Sequence, residues 1–161
     1  NRLKMSKEIK YISYEEVLDV YHKTIEASDG GFEGIRNEEA IHYTLDIMQN
    51  DDYYPTFSNK LTCLVFNFCA GHLVNDGCKR IALTIGAYFL HKNEYYWHAC
   101  IFIRQLEAII YHVAASNIDK DLLERVIDSF MSGKDYDEEL KIDIANAMSK
   151  GKLGVEGEDY E

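Results

Sequence analysis

Within HLVNDGCKR, residues 72–80, the chain places one imidazole, one carboxylate, a glycine and two adjacent cations. A glycine just ahead of a helix that opens with Lys79 and Arg80 leaves backbone N–H groups aimed at one spot, where the helix dipole favours an anion. Gly77 permits close backbone approach or a positive φ. Lys79 and Arg80 set two full charges beside those amides, so the stretch reads as a phosphate cradle. Asp76 adjoins it, and a single carboxylate next to bound phosphates is the usual way to hold Mg²⁺, which keeps most of its waters. His72, four residues earlier, closes the preceding helix with an imidazole that can accept the proton of an attacking hydroxyl. General base, metal carboxylate and anion hole are the three parts that transfer from a nucleotide requires. Singly each has a plainer reading: His72 as a helix end, Asp76-Gly77 as a turn, Lys79 and Arg80 as a solvated pair. Their joint occurrence between two apolar helices favours the site, because such a loop is held rigidly where a bundle opens.

The elements that must hold this loop read as helices. Strand-like alternation is scarce, Pro55 is the single proline, and apolar residues recur at spacings of three and four. Ser13 and Glu16 form a capping-box pair ahead of a helix with Val17, Leu18, Tyr21 and Ile25 on one face, stopping at Asp29-Gly30-Gly31. Asn37 caps a second helix carrying Ala40, Ile41, Thr44, Leu45 and Met48, which ends near Asn50. DDYYPTF, residues 51–57, mixes turn formers with two tyrosines and predicts an exposed loop or short hairpin. NKLTCLVFNFCA (59–70) and RIALTIGAYFL (80–90) are apolar almost all round, the pattern of helices buried mid-bundle, and they flank the nonapeptide. Three amphipathic stretches complete the bundle, from about Cys100 to Ala115, Asp119 to Phe130 with Asp119 as cap, and Asp137 to Met148.

Composition limits the partners. A chain of 161 residues fits one domain, placed at 5–150 once the leading NRLK is set aside, with 151–161 (GKLGVEGEDYE) predicted to be a disordered acidic tail. Twenty-eight acidic against 17 basic residues give a net charge of −11, which repels phosphate backbones and argues against direct nucleic-acid binding. No run of apolar residues is long enough for a membrane span, and the expectation is a cytoplasmic protein. Cys63, Cys69, Cys78 and Cys100 are irregularly spaced without a CxxC pair, which suggests neither a disulfide framework nor a zinc knuckle; Cys69, His72 and Cys78 match no common zinc spacing.

HLVNDGCKR resembles the HxFxDGNKR signature of the Fic/Doc proteins, and specifically the Doc (death-on-curing) branch, in which lysine stands where Fic enzymes carry glycine. YISYEEVLDVYHKTIEASDGGFEGIRNEEAI is similar to the amino-terminal region of Doc-type chains, and YYPTFSNKL and AYFLHKNEYY fit the flanking pattern. The likeness covers roughly residues 9–115. It implies an all-α, Fido-type helical bundle with a short flap, whose members move part of a nucleoside triphosphate to a protein hydroxyl. Doc-like toxins pass on a phosphoryl group, kinase fashion; Fic members mostly attach AMP. By position, His72 would be the general base, Asp76 the Mg²⁺ ligand, Gly77 and Cys78 with the following amides the anion hole, and Lys79 and Arg80 the phosphate-holding cations. Tyr53, Tyr54, Pro55 and Thr56 fall where the family places its flap, which implies alignment of a target peptide by main-chain pairing; the plainer reading is two tyrosines covering the bundle. The implied co-substrate is ATP or another nucleoside triphosphate with Mg²⁺. The implied partners are a protein substrate such as a translation factor and an antitoxin-like inhibitory protein.

Three positions depart from the signature. Leu73 and Val74 replace proline and phenylalanine, an apolar exchange that repacks the loop. Cys78 replaces asparagine, so a side-chain amide that would bond within the loop becomes a weak donor. That substitution leaves room for reduced activity or for a Doc-like binding and regulatory module, and makes Cys78 either an oxidation and alkylation site or a tolerated change. No (S/T)xxxE(G/N) inhibitory string occurs, so control is expected from a separate chain.

Overall fold

The computed structural model describes residues 8–27, 34–74 and 77–158, with 152–158 described by backbone alone. Seven helices follow one another among these residues: α1 Tyr14–Ala27, α2 Glu38–Ile47, α3 Phe57–Ala70, α4 Cys78–Lys92, α5 Tyr96–Ala114, α6 Lys120–Ser132 and α7 Glu138–Glu158. The expected all-α class holds, and among the described residues the only β pairing is an isolated bridge between Ile35 and Val74. No helix among them is long and apolar enough to cross a membrane.

The helices begin where local chemistry satisfies their first amides. Ser13 Oγ accepts from Glu16 N at 3.2 Å, and Ser13 N donates back to Glu16 Oε1 at 3.2 Å, closing the expected capping box. Asn37 Oδ1 accepts from Ala40 N at 3.0 Å and Asp119 Oδ1 from Leu122 N at 2.8 Å. Thr56 and Asn59 form a further capping box at the start of α3, which therefore begins at Phe57 rather than at Asn59. Helix α5 starts at Tyr96, a full turn before Cys100, because Glu94 takes φ 68 and Tyr95 N donates to Leu90 O at 2.9 Å. That left-handed residue ends α4 tightly without a glycine and lets the next helix begin at once. Helix α7 carries helical backbone to Glu158, into the stretch for which the sequence predicts disorder. The Asp29-Gly30-Gly31 stop of α1 lies outside the described residues.

Helices α3 and α4 form the centre. α3 packs against α2, α4, α5 and α6, while α4 packs against α1, α3 and α5. Leu61, Leu64, Val65, Phe68, Ile81, Ile85 and Phe89 are buried completely or nearly so, as the two all-apolar segments require. Gly86 permits this closeness: a methyl there would stand 2.6 Å from Phe102 Cε2 and 2.9 Å from Val65 Cγ2. Only a residue without a Cβ lets α4 approach α3 and α5 so nearly.

The N-terminal side of the bundle is tied by one charged cluster. Lys92 Nζ, in the last turn of α4, donates to both carboxylate oxygens of Glu16 in the first turn of α1, each at 2.6 Å, and Tyr88 Oη donates to the same carboxylate. Burial works against ionisation of Glu16, but hydrogen bonds from Lys92, Tyr88 and the Ser13 amide outweigh it and hold the carboxyl down at about 2.

Candidate functional site

Among the described residues of the loop between α3 and α4, His72 and Gly77 take left-handed backbone. Helix α3 ends with Gly71 N donating to Asn67 O at 3.0 Å, and His72 follows at φ 50 with its side chain exposed. A non-glycine residue in that region carries about 1 kcal/mol or more of steric cost, and such strain gathers at functional positions. Leu73 and Val74 then turn inward, at 2% and 1% exposure. The Leu73 carbonyl accepts from Arg36 N at 3.0 Å and Asn37 N at 3.2 Å, and Val74 pairs with Ile35. The GIRN segment therefore clamps the loop from one side, and the apolar exchange at 73 and 74 fills the interior as expected.

Gly77 adopts φ 73, ψ 27 as the N-cap of α4, with no side-chain cap. The first helical bond is Ile81 N to Gly77 O at 2.8 Å, so the amides of Cys78, Lys79 and Arg80 have no partner within the helix and face along its axis. Arg80, half-buried, folds back over this point; a methyl at Gly77 would sit 3.4 Å from its Nη2 and 3.5 Å from its Nε. Lys79 goes elsewhere. Its Nζ lies 5.8 Å from the Tyr111 ring centre on α5, so the two adjacent cations separate instead of converging. Cys78 Sγ donates to Val74 O at 3.5 Å, keeping a weak bond inside the loop where the asparagine of the signature would act. Asp76 lies outside the described residues.

All four cysteines are free thiols, Cys63 and Cys69 buried, Cys78 half-buried and Cys100 exposed. Cys69 is buried and donates to Ile110 O at 3.5 Å; burial, followed by its neighbour Cys78, pushes its thiol up to about 11. Among the described residues no group of three His, Cys, Asp or Glu side chains could hold a metal ion.

Residues 51–56, for which the sequence predicts an exposed loop or short hairpin, form a largely exposed loop. It is a closed turn built on Asn50, whose Oδ1 accepts from Asp52 N at 2.9 Å and Tyr53 N at 3.4 Å, and whose carbonyl accepts from Tyr54 N at 2.9 Å. Pro55 has no N–H, and Thr56 N donates to Asn59 Oδ1 at 3.2 Å. Every amide donor from Asp52 to Thr56 is thus engaged internally, and none is left for pairing with a peptide strand. Two lysines that the sequence reading passed over hold the turn. Lys60 is fully buried, donating to Met48 O at 3.0 Å and Asp51 Oδ1 at 2.7 Å, with the Tyr11 ring 5.6 Å away. Lys120 reaches from the first turn of α6 to Tyr54 Oη at 2.6 Å, and burial pushes the Tyr54 phenol up despite that ammonium. The signal for Lys60 was its position as the lone cation of an apolar run, NKLTCLVF. Tyr53, by contrast, stands 70% exposed.

Surface cavities of about 400–500 Å³ lie over α4 between α1 and α5, beside the α6–α7 turn, and next to Asn93; none of these is lined by His72, Gly77, Lys79 or Arg80. Closer to the loop, a groove of about 240 Å³ between α2 and α3 ends at Gly71 and Leu73. Neither family models, curated proteins nor solved structures give a match to this chain.

Proposed function

We propose that the chain is a Doc-type protein transferase that moves a phosphoryl group from a nucleoside triphosphate to a protein hydroxyl. The observation that carries this reading is the uncapped start of α4. There left-handed Gly77 leaves the amides of Cys78, Lys79 and Arg80 without a partner inside the helix, and Arg80 brings its guanidinium back beside Gly77. This arrangement fits a phosphate anion in a protein that is otherwise strongly acidic. Arg80 and the amides hold the phosphates, and His72, exposed at the end of α3, serves as the base. Lys79, turned towards Tyr111, contributes at longer range than the signature suggests. Mg²⁺ would be held by Asp76 together with phosphate oxygens and water, and would neutralise charge on the phosphates.

In the transfer step the substrate hydroxyl oxygen attacks the γ-phosphorus while His72 takes the hydroxyl proton. A new P–O bond forms as the bond to the β-phosphate oxygen breaks, and the nucleoside diphosphate leaves. Control by an antitoxin-like partner belongs to the same reading, since the chain carries no inhibitory string of its own. The test is incubation of the protein and Mg²⁺ with a cell extract and either γ-labelled or α-labelled ATP. Label from the γ position should appear on a protein and vanish in His72→Ala. Transfer of α-label instead would make the enzyme an AMP transferase, and γ-transfer unchanged in His72→Ala would overturn the assignment of the base. No transfer of either label, with no ATP–Mg²⁺ binding by calorimetry, would leave a binding module.

A further inference from the structure

Helix α2 and the flap contribute no lysine or arginine of their own to the surface they form. From Asn37 to Asn59 the chain holds Glu38, Glu39, Asp46, Asp51 and Asp52 and neither lysine nor arginine. Lys60, which ends this run, is buried and answers Asp51 from beneath, and His42 pairs with Glu38 on its own helix. Glu39, Asp46 and Asp52 are exposed, and none has an ion-pair partner among the described residues. Glu39 and Asp46 stand four residues before and three after Tyr43, on one side of α2, and Tyr43 is 62% exposed.

Behind Tyr43 runs the groove of about 240 Å³, lined by Ala40 and Tyr43 on α2 and by Phe66, Asn67 and Ala70 on α3. It has room for one leucine- or methionine-sized side chain. Its floor is apolar apart from Thr44 and Asn67; Asn67 donates to Thr44 Oγ1 at 3.1 Å, and its side-chain oxygen takes no donor among the described residues. One end abuts the flap, since Lys120 lies 4.7 Å from the Tyr54 ring and 6.0 Å from the Phe66 ring. The other stops at Gly71, next to His72. The cations at the ends are Lys120, already bonded to Tyr54, and Arg36. Because the main-chain N–H groups from Asp52 to Thr56 are already engaged, a peptide here cannot be held by a full strand ladder, and side chains carry the selectivity.

We infer that this groove and its acidic rim take a basic protein segment, one apolar side chain seated between α2 and α3 and flanking arginines or lysines set against Glu39, Asp46 and Asp52. The inference names the substrate class of the transferase proposed above, and rests on that reading only in taking His72 as the working end. Charge complementarity around a single apolar anchor gives selectivity and a salt-dependent affinity.

The experiment titrates the intact protein with a fluorescein-labelled, arginine-rich peptide carrying a central leucine, without nucleotide, following anisotropy at low salt. The same peptide with glutamate for every arginine is the comparison. The arginine peptide should bind and the glutamate peptide should not. Glu39→Lys with Asp46→Lys should weaken binding about tenfold, whereas Asp128→Lys with Asp135→Lys, an equal charge change on α6 and its following turn, should alter it less than about twofold. Ala70→Leu, which fills the groove without touching charge, should weaken it as well. Equal losses in the two charge variants would mean attraction to net charge alone and would overturn the inference, as would an arginine peptide that does not bind. Since no nucleotide is present, this outcome is independent of whether labelled phosphate is transferred.

Discussion

Replacing Glu16 by glutamine removes one charge and almost no volume, and the cluster around it fixes what should follow. Both carboxylate oxygens lie 2.6 Å from Lys92 Nζ, with the two side chains only 28% and 26% exposed, and Tyr88 and the Ser13 amide donate to the same group. The carboxyl falls from its ordinary 4.5 to about 2. At full weight that displacement converts to about 3 kcal/mol. Because both side chains still meet water, the expected loss in Glu16→Gln at pH 7 is about 1–2 kcal/mol. The sign with pH follows from the depressed value. The contribution is complete above the unfolded glutamate's titration near 4.5 and disappears as pH falls through about 2. Urea unfolding of the two proteins should therefore show midpoints roughly 0.5–1 M apart at pH 7, an unchanged gap down to about pH 5, and a gap that narrows steadily below it. A second reading comes from Tyr88, whose phenol is pushed up to about 12, first by its hydrogen bond to Glu16 and then by burial. In the variant its ultraviolet ionisation signal should move to lower pH. Equal midpoints at pH 7, or a gap as wide at pH 2.5 as at neutrality, would refute the electrostatic account of how α1 is held to α4.

Two further substitutions test the backbone geometry. His72→Gly should raise stability by about 1 kcal/mol, since glycine accepts φ 50 without the steric cost borne by histidine, while abolishing the transfer proposed for His72; a lower thermal midpoint would contradict the strain argument. Gly86→Ala should destabilise by about 1–3 kcal/mol although alanine is the better helix former, because its methyl meets Phe102 at 2.6 Å and Val65 at 2.9 Å; an unchanged or raised midpoint in a thermal melt would show that α4 can move away from its neighbours.

The helical class and most helix starts are local properties, and the amino-acid order alone determined them. Apolar spacing marks the inward faces of α1 to α4, and Ser13, Asn37 and Asp119 carry the side-chain oxygens that their helices' first amides need. The start of α5 escaped that logic because no cap precedes it; Glu94 in the left-handed region ends α4 instead, and nothing in the letters HKNE announces that conformation. The nonapeptide likewise fixed which chemical groups stand between α3 and α4, including a glycine that does take positive φ. What only the tertiary structure decided is where those groups go. Lys79 and Arg80 are neighbours in sequence yet part by about 100° around the helix, one meeting Tyr111 on α5 and the other returning over Gly77 beside Ile25 of α1. The flap shows the same division. Its turn formers were visible as letters, but whether its amides faced a partner or closed on Asn50, and whether Lys60 was solvated or buried beneath Asp51, depended on packing between elements distant in the chain. Sequence spacing fixes the direction of a side chain relative to its own helix, and only the neighbouring helices determine what it meets there.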